Sequence, residues 1–164
     1  MLFTSARLRA RHFVDADAPM LRALNDSEHV RRYVGDGVVV DDDAALTILR
    51  TRMYPQMRDH GVGRWAIELL ASGAFIGWCG LRFDGDTATY DLGYRFFEEH
   101  WGRGYATEAA LATMAWARAN LPPSARIVGR AHVENRASIR VLEKCGLAFQ
   151  RELVEDGERI ATFG

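Results

Sequence analysis

Cysteine is scarce in this chain: Cys79 and Cys145 are the only two in 164 residues. They stand far apart, neither belongs to a Cys-x-x-Cys pair, and neither has a histidine at metal-ligand spacing. A disulfide scaffold or a zinc ribbon is therefore not expected, and two buried thiols in a reducing compartment are. The histidines His12, His29, His60 and His100 are not grouped at ligand spacings, so no metal is expected. Long apolar runs are missing as well. Nothing approaches the roughly 18 consecutive apolar residues that a membrane span needs. The opening segment carries Arg7, Arg9 and Arg11 with no apolar stretch behind them, which does not read as a signal peptide. The expectation is a cytoplasmic protein with no membrane partner. Charge of one sign is absent too. The 21 basic and 22 acidic residues nearly cancel, for a formal charge of −1. That removes the global basic field of a nucleic-acid binder but leaves room for a local patch.

What is present is the composition of a folded domain, with 48% hydrophobic and 26% charged residues. The length fits a single domain over residues 1–164. Arg7–Phe13 alternates as a short strand. Asp15 then caps a helix over 16–25, with Pro19 in its first turn. A second short helix over 27–34 meets the turn Gly35-Asp36-Gly37. Asp41, Asp42 and Asp43 begin a third helix, where the macrodipole favours negative charge. That helix carries Leu46, Leu49, Met53 and Met57, and Pro55 is expected to bend or break it. From Arg64 the period becomes two. Strands over 64–70, 74–83 and 87–97, joined by Ala71-Ser72-Gly73 and Asp84-Gly85-Asp86, make an antiparallel meander. A helix over 104–121 stops at Pro122-Pro123. A strand over 126–132, a short helix over 135–145 and a closing hairpin over 149–163 complete the chain. The segment 87–132 reads as a strand–helix–strand unit, and the whole as an α+β fold.

The informative stretch is Phe96-Phe97-Glu98-Glu99-His100-Trp101-Gly102-Arg103-Gly104-Tyr105-Ala106-Thr107. It leaves a strand and opens a helix. Unpaired amides at a helix start, with glycines that admit close approach, form an anion site. Neither GxxxxGK[ST] nor GxGxxG fits these residues, which argues against the common nucleotide loops.

Trp101-Gly102-Arg103-Gly104-Tyr105-Ala106 resembles the pyrophosphate motif Q/R-x-x-G-x-G/A of the GNAT acetyltransferases, with Trp at its first position. The continuation through Thr107-Glu108-Ala109 is similar to the ribosomal-protein N-acetyltransferase (RimJ/RimL-like) branch. The resemblance extends over 25–33, Phe75-Ile76-Gly77-Trp78-Cys79-Gly80-Leu81, Asp91-Leu92-Gly93-Tyr94, Asn135-Arg136-Ala137-Ser138 and Leu142-Glu143-Lys144-Cys145-Gly146-Leu147, in family order. It implies a mixed, mostly antiparallel twisted sheet of about six or seven strands with flanking helices. It also implies acetyl-CoA as co-substrate, an amine acceptor and a homodimer, and no nucleic-acid partner. Main-chain groups near Tyr94 and Phe96 would pair with the pantetheine arm. Amides of Gly102, Arg103, Gly104, Tyr105, Ala106 and Thr107 would hold the pyrophosphate, with Trp101 beside it. Asn135 would contact the pantetheine or a nearby carbonyl, and Arg140, if not solvated surface, would reach the phosphates. The thioester would lie where the strands over 87–97 and 126–132 separate.

Acetyl transfer needs a neutral amine. An α-amino group of pKa near 8 is neutral about one time in ten at pH 7, and a lysine about one time in 2,500. A general base helps either. Asp91 is the first candidate, against the reading that it pairs with an arginine on a neighbouring strand; Glu68 is the second. The family's usual acid, a tyrosine on the last helix, is replaced by Leu142. Ser138, one turn earlier, is the available hydroxyl for the leaving thiolate, unless it only caps the helix with Asn135. His132 could line the acceptor site. The alternatives are a catalytically silent acyl-CoA-binding module that regulates a partner, suggested by the missing tyrosine, and a nucleotide-binding domain using the same loop.

Overall fold

The computed structural model describes residues 2–33 and 38–164. The expected turn Gly35-Asp36-Gly37 lies outside the described residues. Eight strands form one sheet: β1 (Phe3–Thr4), β2 (Leu8–Arg11), β3 (Arg64–Leu69), β4 (Phe75–Asp84), β5 (Thr89–Phe96), β6 (Arg126–His132), β7 (Phe149–Glu155) and β8 (Glu158–Phe163). Their order is β1-β2-β3-β4-β5-β6-β8-β7. Only β5 and β6 run parallel; the other neighbours are antiparallel. The helices are α1 (Ala18–Asp26), α2 (Glu28–Arg31), α3 (Asp42–Ile48), α4 (Tyr54–His60), α5 (Tyr105–Asn120) and α6 (Arg136–Lys144). The sheet exceeds the expected six or seven strands because β1 has only two residues, too few for a period to register.

The alternation of the strands sorts side chains to two faces. On one, Leu81, Leu92 and Phe96 meet Ala109, Ala110, Met114 and Ala117 of α5 and Val141, Leu142 and Cys145 of α6. The alanines of α5 let it lie close to the sheet. Each large side chain buried here contributes about 1.5–3 kcal/mol. On the other face, Phe13, Leu21, Ala45, Leu49 and Ala66 form a second cluster, with Phe75 and Trp78 packed against it. Helices α1 to α4 therefore cover β2 to β4, and the segment through Asn25 and Tyr33 reaches Arg95 of β5 and His132 of β6 on the same face.

Pro55 neither bends nor ends its helix in the simple way. A proline ring clashes with the carbonyl four residues back and offers no N–H. The chain widens instead: Leu49–Met53 is a π-helical turn in which the Tyr54 N–H donates to Leu49 O, five residues back. Pro55 then sits in the first turn of α4, where its missing N–H costs nothing.

In β4 the strand carries a bulge opposite Ile67 and Glu68, at Gly77, whose φ is +151°. The bulge puts Phe75 and Trp78 on one face although they are three residues apart. A Cβ at Gly77 would collide with the Arg95 carbonyl and lie 2.7 Å from the Phe96 Cα. Gly77→Ala is therefore expected to lose at least about 1–3 kcal/mol from the backbone conformation alone. Urea denaturation measures this; a midpoint equal to the parent's would refute the packing described.

Candidate active site

The parallel strands β5 and β6 stay paired from Thr89/Arg126 to Leu92/Gly129 and no further. Beyond that point Gly93–Phe96 remains on β4, and Arg130–His132 remains on β8. The two strands thus part, and their facing main-chain edges have no strand between them. Unpaired edges inside a sheet call for a partner. Helix α6 stands beneath the opening. Leu142 is fully buried, and its side chain packs so closely under Gly129 that a Cβ there would overlap it. On the other side of the gap, the Tyr94 hydroxyl lies 2.9 Å from both the carbonyl oxygen and Oγ of Ser138 on α6.

The loop after β5 turns twice through left-handed conformations, at Gly102 (φ +72°) and Gly104 (φ +79°). Gly104 is the N-cap of α5 and supplies no side-chain cap. The first-turn amides of this 16-residue helix are therefore left for another acceptor, at its positive end. Space for a ligand exists, since a Cβ at Gly102 would meet nothing within 4 Å. Two side chains fix the loop. Trp101 Nε1 donates to Phe96 O at 2.9 Å, which ties the turn to the end of β5. Arg7 donates from Nη1 to Arg103 O at 3.0 Å and from Nε to Glu108 at 2.7 Å, and lies over the Tyr105 ring. Arg7 was not among the expected site residues. Its partners lie about a hundred positions away, and no local pattern announces them. Arg103 and Arg140 are exposed, while Tyr105, Ala106 and Thr107 are partly buried.

The expected catalytic groups fall into three places. Asp91 sits just before the gap, and its Oδ2 accepts from Arg64 at 2.8 Å. Arg64 also donates to the carbonyls of Gly80 and Asp91. Its guanidinium covers Gly93, the first residue of the gap, where a Cβ would lie 2.5 Å from it. Arg64 and Arg95 both stand over the Trp78 ring, at 5.1 and 5.5 Å. Glu68 is buried in β3 and takes hydrogen bonds from Arg9 and Arg11 of β2. Ser138 faces Tyr94, as above, while Asn135 Oδ1 caps α6 by accepting the Ser138 N–H at 3.1 Å. Burial raises the Tyr94 phenol well above its ordinary value despite the Ser138 contact. His132, at the end of β6, lies 3.0 Å from Glu158 through Nε2 and stacks on Tyr33. Arg64 escaped the sequence reading although its position shares the phase of buried Ala66, a detectable sign that it points inward. Both thiols are buried and free, and burial pushes Cys79 up to about 12 and Cys145 to about 11.

A parallel pair that separates, beside a glycine-shaped helix start, is the arrangement that the resemblance implied. The sequence matches the family model described as an acetyltransferase (GNAT) domain over residues 7–148. This chain belongs to the GNAT acetyltransferase family. The uncharacterised protein YkkB of Bacillus subtilis is 32% identical over 162 residues, covering 96% of this chain and 91% of its own. Among solved structures, RimL, a ribosomal L7/L12 α-N-protein acetyltransferase in complex with coenzyme A, superposes with a TM-score of 0.82 at 16% identity, covering 99% of this chain and 95% of that one. Spermidine N-acetyltransferase from Vibrio cholerae, with CoA and spermine, gives 0.79 at 18% identity, covering 95% and 93%. At these identities the two structures speak for the shared GNAT fold alone. No helix among the described residues is long and apolar enough to cross a membrane.

The environment of Glu68 carries a pH signature. Burial alone would raise its carboxyl, but hydrogen bonds from Arg11 and Arg9 overcome this and hold it below the usual glutamate value. A carboxyl lowered by folding stabilises the native state above its unfolded pKa, near 4.3, and that contribution disappears as pH falls through the lower folded value. Glu68→Gln is expected to be less stable at pH 7 and to lose less stability than the parent on acidification below about pH 4.3. Urea midpoints against pH measure it, and parallel curves for the two proteins would contradict the assignment.

Proposed function

We propose that this chain transfers an acetyl group from acetyl-CoA to a primary amine by direct attack in a ternary complex. The observation that carries the reading is the separation of β5 from β6 beside the amide-lined start of α5. The residues present fit the co-substrate. Amides from Gly102 through Thr107 would hold its diphosphate, and the free edge of Gly93–Phe96 would pair with the pantetheine arm. Acetyl-CoA supplies the thioester; the chain's groups orient it, exclude water and move protons. The motif set over 91–147 supports a place in the RimJ/RimL-like branch, and the two buried thiols suit a reducing, cytoplasmic setting.

Attack forms the C–N bond and breaks the C–S bond; the amine loses a proton and the thiolate gains one. For the thiolate, Ser138 Oγ is the available donor. Tyr94 lies beside it: the one phenol proton goes to the Ser138 carbonyl or to Oγ, and a switch from the carbonyl to Oγ leaves the serine proton free for sulfur. This pair replaces the missing tyrosine, whose position Leu142 uses for packing. The basis for a silent CoA-binding module is correspondingly weak. For the amine, Asp91 stands nearer the gap than Glu68. Oδ2 of Asp91 is engaged by Arg64, and Oδ1 makes no hydrogen bond among the described residues, so Oδ1 is the base site in this reading, directly or through water. Glu68 is tied to two arginines and is assigned to holding β2 on β3.

The test is thiol release from acetyl-CoA across an amine panel. Ser138→Ala is expected to lower kcat by about 10²-fold with little change in the Kd for acetyl-CoA, and Tyr94→Phe by a smaller factor. Gly104→Glu adds bulk and charge where the diphosphate would lie, and should abolish CoA binding by calorimetry. Gly104→Ala, which carries the same φ of +79° without the charge, separates strain from repulsion. Undiminished CoA affinity in Gly104→Glu would sink the reading.

A further inference from the structure

We propose that the arginine-lined cavity over β4 to β7 is the acceptor's docking trough and that it takes a polypeptide N-terminus with acidic leading residues. This rests on the acetyl-transfer reading above. Arg82 of β4, Asp91 of β5, Arg126 and Arg130 of β6 and Arg151 of β7 share this cavity of about 580 Å³. The trough runs along the paired part of β5 and β6 and ends beside the gap. Asp91 and Arg130 each adjoin the last paired residues, Leu92 and Gly129, and the gap opens immediately beyond.

The charges there do not cancel. Asp91 is taken by Arg64, and Glu155 by Arg130. Asp84 accepts main-chain N–H groups of its own turn, from Asp86 and Thr87. Arg82 comes only within 3.9 Å of the already engaged Asp91. Arg126 and Arg151 have no ion-pair partner among the described residues. The lining thus holds four arginines, Arg82, Arg126, Arg130 and Arg151, against three carboxylates, Asp84, Asp91 and Glu155, and Arg64 takes up Asp91 from beside the cavity, in a chain of net formal charge −1. Of the 21 basic residues, all but Lys144 are arginine, whose planar fork suits bidentate carboxylate binding.

Two further arginines stand at the mouth of the gap. Arg64 covers Gly93, and Arg95, hydrogen-bonded to buried Asn25, also lies over Trp78. The excess of arginine over carboxylate along the trough repels polycations such as spermidine. Length points to a chain and not a single amino acid. From Arg126 to Arg130 is about 13 Å of strand, the span of about four extended residues. A free amino acid held in the gap would leave most of the trough, and its arginines, untouched.

The experiment measures kcat/KM by thiol release for peptides beginning Ala-Asp-Glu-Asp, Ala-Ser-Gln-Ser and Ala-Arg-Arg-Arg, and for free glutamate and spermidine. The parent protein should rank the acidic peptide first, about tenfold above the neutral one and further above the basic one, with the preference shrinking at high salt. Arg126→Glu/Arg151→Glu should lose or invert the ranking while its CoA affinity and melting curve stay like the parent's. Arg118→Glu, a reversal on exposed α5 surface, should keep the ranking. Equal turnover of the three peptides, preference for the basic peptide or spermidine, or free glutamate matching the acidic peptide would each overturn the proposal. Absence of thiol release with every acceptor would overturn acetyl transfer itself, an outcome distinct from turnover without a charge ranking.

Discussion

Everything functional in this protein follows from one broken pairing: β5 and β6 part after Leu92 and Gly129. A parallel pair in the middle of a sheet normally continues, because each unmatched main-chain group costs free energy when water is excluded. Here α6 holds the pair open. Leu142 wedges beneath Gly129, and Tyr94 reaches from β5 to the main chain and hydroxyl of Ser138. The same helix that closes the hydrophobic core therefore props the gap. Glycine at 129 is required because any larger residue would meet the wedge, and the wedge must be apolar because it is fully buried. Leu142 thus serves packing, while the proposed donor pair joins Ser138 of the same helix to Tyr94 of β5.

Around the gap the two faces of the sheet divide the work. The α5/α6 face is apolar and supplies rigidity, with small residues on α5 that bring its N-terminus to the end of β5. The other face carries the charge. Arg64, Arg95 and Asp91 lie there because residues 91, 93 and 95 alternate with the core residues 92, 94 and 96. A strand with one phase in the core and one phase in the cleft couples the two. Trp78 lies under both guanidiniums and gives them a weakly hydrated platform. Arg64 itself spends its donors on Gly80 O, Asp91 O and Asp91 Oδ2, which fixes it over Gly93.

Much of this was legible in the residues. The meander over 64–97 and the Gly102–Gly104 turn announce themselves through period-two alternation, Gly- and Asp-rich turns, and a glycine pair ahead of an alanine-rich helix. Those are local signals, and local signals survive in a single sequence. What escaped was set by distance. The Arg64–Asp91 pair bridges strands that are not neighbours, and Arg7 meets Glu108 across a hundred residues. Trp101 is expected beside the pyrophosphate, and its indole N–H on Phe96 O also ties the loop to the end of β5, a contact no local pattern announces. Pro55 illustrates a different limit. Propensity forbids a proline in mid-helix, yet a single π-helical turn accommodates it, and only the three-dimensional path reveals that solution.

The two carboxylates first considered as bases show how pairing separates function from scaffold. Both sit on strands, both face arginines, and sequence alone ranks them only by proximity to the motif. In the fold, Glu68 accepts from two arginines of the adjacent strand through both of its oxygens, so protonating it would break two ion pairs and loosen the sheet edge. Asp91 gives one oxygen to a single arginine and keeps the other open. Proton transfer at Asp91 therefore disturbs one hydrogen bond and the longer ion pair with Arg82, and Arg64 retains its two carbonyl acceptors throughout. A group that can change charge without unfastening its surroundings is suited to turnover, and one that cannot is suited to holding strands together. By that criterion the proposed base is Asp91, and Glu68 is the clasp of β2 on β3.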